Sequence, residues 1–296
     1  MRWPEDAADW PLTEHSRRVL HRPHRWHVQE AGRGPTLLLI HGAGGATHSW
    51  RGLFPLLSER FHVVAVDLPG HGFTQPGARG RSGLESMTAD LAALAAAEGW
   101  HPAAVIGHSA GAAIALNLGL RLGDPAPRIV TLNAALSNFE GVAGWLFPKL
   151  AKLLAATPFT ADLFSAAASS QSNVARLIAG TGSQLDPEGL ALYRRLVADR
   201  AHVDGTLAMM SQWSLDGLLP RLGEMSAPVF LMTGDADSAV PPAVSRRAAE
   251  KLPNARLESL PSLGHLMHEE DPEAVARLIF GFLEGIEGGP DCAAPQ

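Results

Sequence analysis

The chain has 296 residues, 46% hydrophobic and 18% charged, which is material for one large α/β domain or a core with an inserted subdomain and excludes global disorder. Its formal net charge of −6, with no block of Lys or Arg, excludes nucleic acid as an expected partner, and the single cysteine, Cys292, excludes an intrachain disulfide. Met1–Trp10 carries Glu5, Asp6 and Asp9 and is no secretory signal, and no apolar run reaches the roughly 18 residues a membrane span needs, so a soluble, cytoplasmic protein with no membrane span is expected.

In chain order, Arg17–Leu20 and Trp26–Glu30 suit an antiparallel start. Thr36–Ile40 (TLLLI) and His62–Val66 (HVVAV) read as buried strands with a helix over residues 50–58 between them. Ser82 and Glu85 form a capping-box pattern for a helix running to Glu98, with Gly99 placed to close it. Strands follow at residues 103–106, 128–132, 229–233 and 256–260. Short apolar runs alternating with helical patterns predict an α/β fold, a mostly parallel sheet with helices on both faces. Between Asn133 and Pro228 the alternation stops, and residues 137–219 read as short helices punctuated by Gly141, Pro148, Pro158, Gly180, Gly182, Pro187 and Gly205. The expected division is therefore a core domain (1–136 and 221–286), an inserted helical cap (137–220) over the carboxyl edge of the sheet, and a disordered tail (287–296).

The chemistry centres on Gly107-His108-Ser109-Ala110-Gly111, a G-x-S-x-G match between an apolar strand and an Ala- and Leu-rich helix. Such a turn sets the Ser hydroxyl at the carboxyl edge of the sheet, and small neighbours let strand and helix approach. A Ser nucleophile needs a base oriented by a third group. His265, in the loop after the last strand, is the expected base, and the acid should lie in Gly234-Asp235-Ala236-Asp237. Asp237, further into the loop, is favoured over Asp235, whose carboxylate suits a turn. Backbone N–H groups of Ala110 and Ala43 are the expected oxyanion donors, the latter in the loop His41–Gly45. His268 is expected at a surface helix start, His108 in packing or a back-side hydrogen bond, and His41 and His71 as braces for the loops. No metal-ligand spacing occurs, so neither metal nor other cofactor is expected.

In the cap, Val142, Trp145, Leu146, Leu150, Leu153 and Leu154 share a helical face. That face suits either packing on the core or an apolar lid over a bulky ligand, with Phe147, Met209, Met210 and Trp213 adding to the wall. Lys149 and Lys152 at its polar edge also suit a membrane surface. Arg176, Arg194 and Arg195 are candidate partners for ligand carboxylates.

His41-Gly42, Asp67-Leu68-Pro69-Gly70-His71-Gly72, GHSAG at 107–111, GDADSAVP at 234–241 and G-H-x-x-x-x-E-x-P at 264–272 together resemble the α/β-hydrolase fold. They follow its branch of esterases, epoxide hydrolases and cofactor-free haloperoxidases; Ser109 departs from the epoxide hydrolases and dehalogenases, which place Asp there. WHVQ at 26–29, residues 41–61 and 107–118, LNAAL at 132–136 and HVDGTLAMMSQWSLDGL at 202–218 resemble the BchO-type magnesium-chelatase accessory proteins of bacteriochlorophyll biosynthesis. That resemblance implies a place near magnesium insertion into protoporphyrin and no known reaction; the complete Ser109–His265–Asp237 complement makes a serine hydrolase acting on an ester or related acyl bond, in service of tetrapyrrole metabolism, the leading reading. A small apolar or tetrapyrrole-like substrate, chelatase subunits as partners and a place at the photosynthetic membrane are implied with it. A non-catalytic porphyrin carrier or chelatase-assembly factor, and a general esterase, are the other readings.

Overall fold

The computed structural model describes residues 1–77, 80–122, 126–137 and 171–284. The expected lid residues Trp145, Phe147 and Leu150, and the expected tail, lie outside these described residues. Among the described residues eight strands form one sheet: β1 (Ser16–His21), β2 (His24–Ala31), β3 (Thr36–Ile40), β4 (His62–Val66), β5 (Pro102–His108), β6 (Arg128–Leu132), β7 (Val229–Gly234) and β8 (Ala255–Leu260). Their spatial order is β1-β2-β4-β3-β5-β6-β7-β8. β2 runs antiparallel to both β1 and β4, and every later pairing is parallel.

Helices on both faces explain why the central strands β3, β4 and β7 are largely apolar. Successive side chains point to opposite faces, and here both faces are buried. Leu38, Ile40, Val64 and Val66 join Leu91 and Leu94 of α2 (Leu84–Ala97) and Ile114 and Leu118 of α3 (Ala110–Leu122). The alternate residues Leu37, Leu39, Val63 and Ala65 join Leu53 and Leu57 of α1 (Leu53–Ser58) on the other face. The start of α2 differs from expectation. Gly83 is the N-cap, no side chain caps the helix, and the Glu85 carboxylate instead accepts a bond from Asn117 at 3.3 Å. The partner on α3 outcompetes the local box. At the other end Gly99 does close the turn, at φ +70°.

The insertion between β6 and β7 is helical where it is described: α4 (Gln171–Ala179), α5 (Pro187–Ala198) and α6 (Arg200–Gln212). Asp186 and Asp199 cap α5 and α6, accepting from the N–H groups of Gly189 and His202 at 2.6 and 2.8 Å. After β7 come α7 (Ala243–Ala249), α8 (Met267–Glu270) and α9 (Pro272–Leu283). The last carries Ile279 and Leu283 into the second core layer. Among the described residues no helix is long and apolar enough to cross a membrane.

Gly205 does not break the chain as its residue type suggests; it sits inside α6. A Cβ there would lie 2.0 Å from the Gly70 carbonyl oxygen, so the bare backbone is what lets α6 rest on the loop after β4. Gly205→Ala gains about 1 kcal/mol of helix propensity but overpacks an immovable backbone contact, at about 1–3 kcal/mol. We expect the substitution to lower the urea midpoint. A midpoint at or above that of the parent chain would show that the loop yields freely.

Candidate active site

β5 ends at His108, Ser109 follows, and α3 begins at Ala110. Ser109 has φ +53°, a left-handed conformation that costs an L-residue about 1 kcal/mol or more. Neighbouring backbone holds it there. Its N–H donates to Leu132 O at 2.9 Å, and its carbonyl accepts from Ala112 and Ala135, both at 3.1 Å. The flanking glycines are steric necessities. A Cβ on Gly107 would sit 2.3 Å from Gly111 O, and one on Gly111 would sit 2.2 Å from Ile40 O.

His265 and Asp237 meet as expected: His265 Nδ1 donates to Asp237 Oδ2 at 2.8 Å. The other carboxylate oxygen accepts from the N–H groups of Ala239 and Val240, each at 2.8 Å, so the acid is fixed from three sides. With the proton on Nδ1, Nε2 is left as a base. Asp235 faces elsewhere, accepting from Ser262 N–H at 2.6 Å. Ser109 and His265 border one cavity of about 130 Å³, together with residues 42–45, Ser49, His108, Ile178, Thr181, Tyr193 and Leu266. Ala43 is thus in the cavity wall. Ala110 opens α3, so its N–H is among the donors a helix leaves without an intrahelical partner.

The loop bearing His265 is tied down by a residue that sequence reasoning passed over. Asn133, itself at φ +48°, donates to the carbonyls of Gly264 and His265 at 2.9 and 2.8 Å and accepts from Gly234 N–H at 2.8 Å. One amide therefore joins the ends of β6 and β7 to the His265 loop. An Asn, a residue type enriched in the left-handed region, placed just past a strand is its sequence signal. His108 makes the back-side bond foreseen for it, from Nε2 to His265 O at 2.9 Å. The cap joins in, with Thr181 O accepting from His265 N–H at 3.3 Å and Ser183 Oγ from Leu266 N–H at 2.8 Å.

Beneath the 41–45 loop lie three buried histidines. His41 donates through Nδ1 to Gly42 O at 2.7 Å and accepts through Nε2 from Leu68 N–H at 2.9 Å. His202 accepts from Gly72 N–H at 3.1 Å and donates to Gly44 O at 3.1 Å. His71 packs between them, with ring centroids at 5.3 and 5.2 Å. His41 and His71 brace this edge as expected, and His202 is an addition from the cap. Asp67 secures the same region, accepting from His27 Nδ1 at 2.7 Å and from the N–H groups of Thr47 and Phe73 at 2.7 and 2.8 Å. Burial opposes its charge, but His27 and these bonds hold the carboxyl below the usual range.

Other expectations are revised. His268 is buried rather than at the surface, packed in tilted contact with Trp50 and His108 at 4.7 and 4.6 Å, and neither ring nitrogen has a hydrogen-bond partner among the described residues. Its helix has one short turn, folded inward by the apolar Met267 beside it. Met209 is buried in the core cluster that holds Ala110 and Leu136, and Trp213 packs against that cluster. Neither they nor Met210 border the 130 Å³ cavity. Arg195 donates to the carbonyls of Asp6 and Asp9 and lies over Trp10, away from the cavity. Arg176 bonds within its own helix, and Arg194 is exposed. The charged group that does lie beside the cavity is a buried trio. Glu269 accepts from Tyr193 Oη at 2.7 Å and from Arg51 Nη1. Burial pushes the Glu269 carboxyl up to about 7, against the pull of Arg51 and Tyr193.

Burial lowers the pKa of His41, His48, His71, His108, His202 (to about 4) and His268 (to about 3). These rings are neutral when folded, whereas the unfolded chain takes up protons below about pH 6.5. Their stabilising contribution is present above that pH and is lost as pH falls towards 4 and 3. Glu269, raised instead, works the other way between its ordinary value and about 7, one group against six. The thermal midpoint should therefore fall from pH 7 to pH 5. His268→Phe keeps the ring and removes one titrating group, so it should reduce the slope by up to about 1.4 kcal/mol per pH unit. Calorimetry across this range checks both, and a pH-independent midpoint would contradict the assignment.

Comparison with known proteins agrees with this fold. Residues 35–272 match the family model described as alpha/beta hydrolase fold. The chain is 46% identical over 280 residues to the magnesium-chelatase 30 kDa subunit of Rhodobacter capsulatus, covering 94% of this chain and 98% of that one. It is 31% identical to the pimeloyl-[acyl-carrier protein] methyl ester esterase of Methylococcus capsulatus, covering 86% and 97%. Among solved structures, a thermophilic esterase from Thermogutta terrifontis superposes with a TM-score of 0.71 at 21% identity, covering 92% and 99%, a likeness of fold. The chain belongs to the alpha/beta hydrolase fold family, a family of enzymes, and within it is related to a magnesium-chelatase component.

Proposed function

We propose that the protein is a serine hydrolase that cleaves an ester or related acyl bond through Ser109, His265 and Asp237. The observation that carries this is the convergence on one cavity of a strained Ser109 and a His265 whose Nδ1 is held by a fully fixed carboxylate. In the reading, His265 Nε2 takes the Ser109 hydroxyl proton as Oγ bonds to the carbonyl carbon. The negative oxygen faces the N–H groups of Ala43 and Ala110. Collapse expels the alcohol, which leaves with the proton from His265. Water then attacks the acyl-serine by the same route, releasing the acid and restoring the hydroxyl. Asp237 keeps its charge throughout and stabilises the imidazolium.

Ser109→Ala should abolish labelling by a fluorophosphonate and all esterase activity, with the fold retained by circular dichroism. His265→Ala should cost about 10³-fold or more in kcat, because the members act as a unit. Asp237→Asn should cost at least 10²-fold and Asp235→Asn less than tenfold. The reverse order would exchange the two aspartates, and labelling that survives Ser109→Ala would remove the nucleophile.

A second reading, favoured by the 46% identity to a protein named as a magnesium-chelatase subunit, places this hydrolase in the cytoplasm in service of magnesium-tetrapyrrole metabolism. It is tested by titrating the protein with protoporphyrin and its magnesium and methyl-ester forms while following tryptophan fluorescence. Quenching with micromolar or tighter affinity supports it. No response in any of the three leaves a general esterase. Quenching without Ser109 labelling would point to a carrier or assembly factor.

A further inference from the structure

The cavity at Ser109 is small, and one of its walls is locked. An apolar chamber of about 150 Å³ admits benzene, so a cavity of about 130 Å³ has room for a group of about six heavy atoms. Ile178, Tyr193 and Leu266 supply its apolar surface and belong to one buried cluster. Leu266 adjoins His265, whereas Ile178 and Tyr193 come from α4 and α5 of the insertion. A tyrosine in a cap helix could ordinarily swing aside for a longer substrate. Here its hydroxyl donates to Glu269 at 2.7 Å, and Glu269 is fully buried with its second oxygen on Arg51. The ring also meets the His48 face edge-on at 4.6 Å. Arg51 lies after the loop following β3, and Glu269 lies four residues beyond His265, so the wall is anchored to the same core segments that carry the candidate chemistry. Displacing it would leave a buried Glu269 oxygen without its donor, at about 1–3 kcal/mol.

We propose that Tyr193 is a specificity-determining residue: held by Glu269 and Arg51, it limits one substituent of the scissile bond to a short group, while a larger remainder stays outside this cavity. The inference rests on the reading of Ser109 as nucleophile. A large macrocycle would therefore present only a short ester arm to the site. A purely structural tether predicts instead that loss of Tyr193 changes stability and leaves length selectivity untouched.

The test is the rate at which Ser109 is labelled by two series of fluorophosphonates, followed by mass spectrometry. In one the alkyl group on phosphorus grows from methyl to octyl, and in the other the alkoxy group does. In at least one series the rate should fall at least tenfold between butyl and octyl. Tyr193→Ala should raise the octyl-to-butyl ratio at least tenfold, and Tyr193→Phe, which keeps the ring, should shift it less. If Tyr193→Ala does not fold, Tyr193→Leu and Ile178→Ala open the same chamber and should move the ratio in the same direction. Labelling that is independent of length in both series, or a ratio unmoved by every one of these variants that folds, overturns this inference alone. No labelling by any member overturns the nucleophile reading and this inference with it.

Discussion

The packing of Gly111 on the carbonyl of Ile40 is the contact from which the rest of the carboxyl edge is set. It fixes how close α3 can come to β3, and therefore where the turn between β5 and α3 must fold back. That turn forces Ser109 into the left-handed region, and the cost is offset by two backbone bonds from β6 and its following loop and a third from Ala112 of α3. Because the same loop begins with Asn133, the segment that supports the elbow also holds the carbonyls of Gly264 and His265. The relative placement of Ser109 and His265 is thus a property of strand ends, and only secondarily of the long loops between them.

A second constraint is that this edge is crowded with polar groups that water does not reach. His41, His71, His108, His202 and Asp67 are all buried there, and most of their nitrogens and oxygens are matched to loop backbone rather than to one another. Backbone partners suit this role because they do not titrate. His41 and His202 are then needed in their neutral tautomers, with one nitrogen donating and the other accepting, so a single proton would turn an acceptor into a donor facing an N–H. The loop carrying Ala43 is rigid for the same reason that the assembly is sensitive to acid.

Much of this was legible in the sequence. The strand boundaries of β3 and β4 were readable because both faces of the sheet are covered, which leaves no polar residue to blur a TLLLI or HVVAV run. Ser109, His265 and Asp237 were readable because each lies at a strand end beside a turn signal. What escaped depended on distant partners. The Ser82–Glu85 box is locally sound, yet Asn117 on another helix captures the Glu85 carboxylate. His268 is flanked by acidic residues and reads as exposed, but Trp50 and His108 enclose it. Met209 and Trp213 have the character of a lid, yet Met209 is buried in the core and Trp213 packs against it. Gly205 reads as a break only if the Gly70 loop against it is unknown.

The Arg51–Glu269–Tyr193 trio is the plainest case, since its members lie in three separate segments and no motif pairs them. Its composition has a physical logic. Apolar surface alone would let α5 slide over the core, because burial is nearly indifferent to register. A buried carboxylate permits only those arrangements in which its partners are in place, since leaving it unpaired costs several kcal/mol. Placing such a group between cap and core, one turn from His265, makes the position of the cap discrete. Arg51 is held in turn near Asp186, the residue that caps α5, at 3.6 Å, so the same cation steadies both the helix start and the side chain that the helix presents. The shape of the cavity at Ser109 is then fixed by charge pairing as much as by packing.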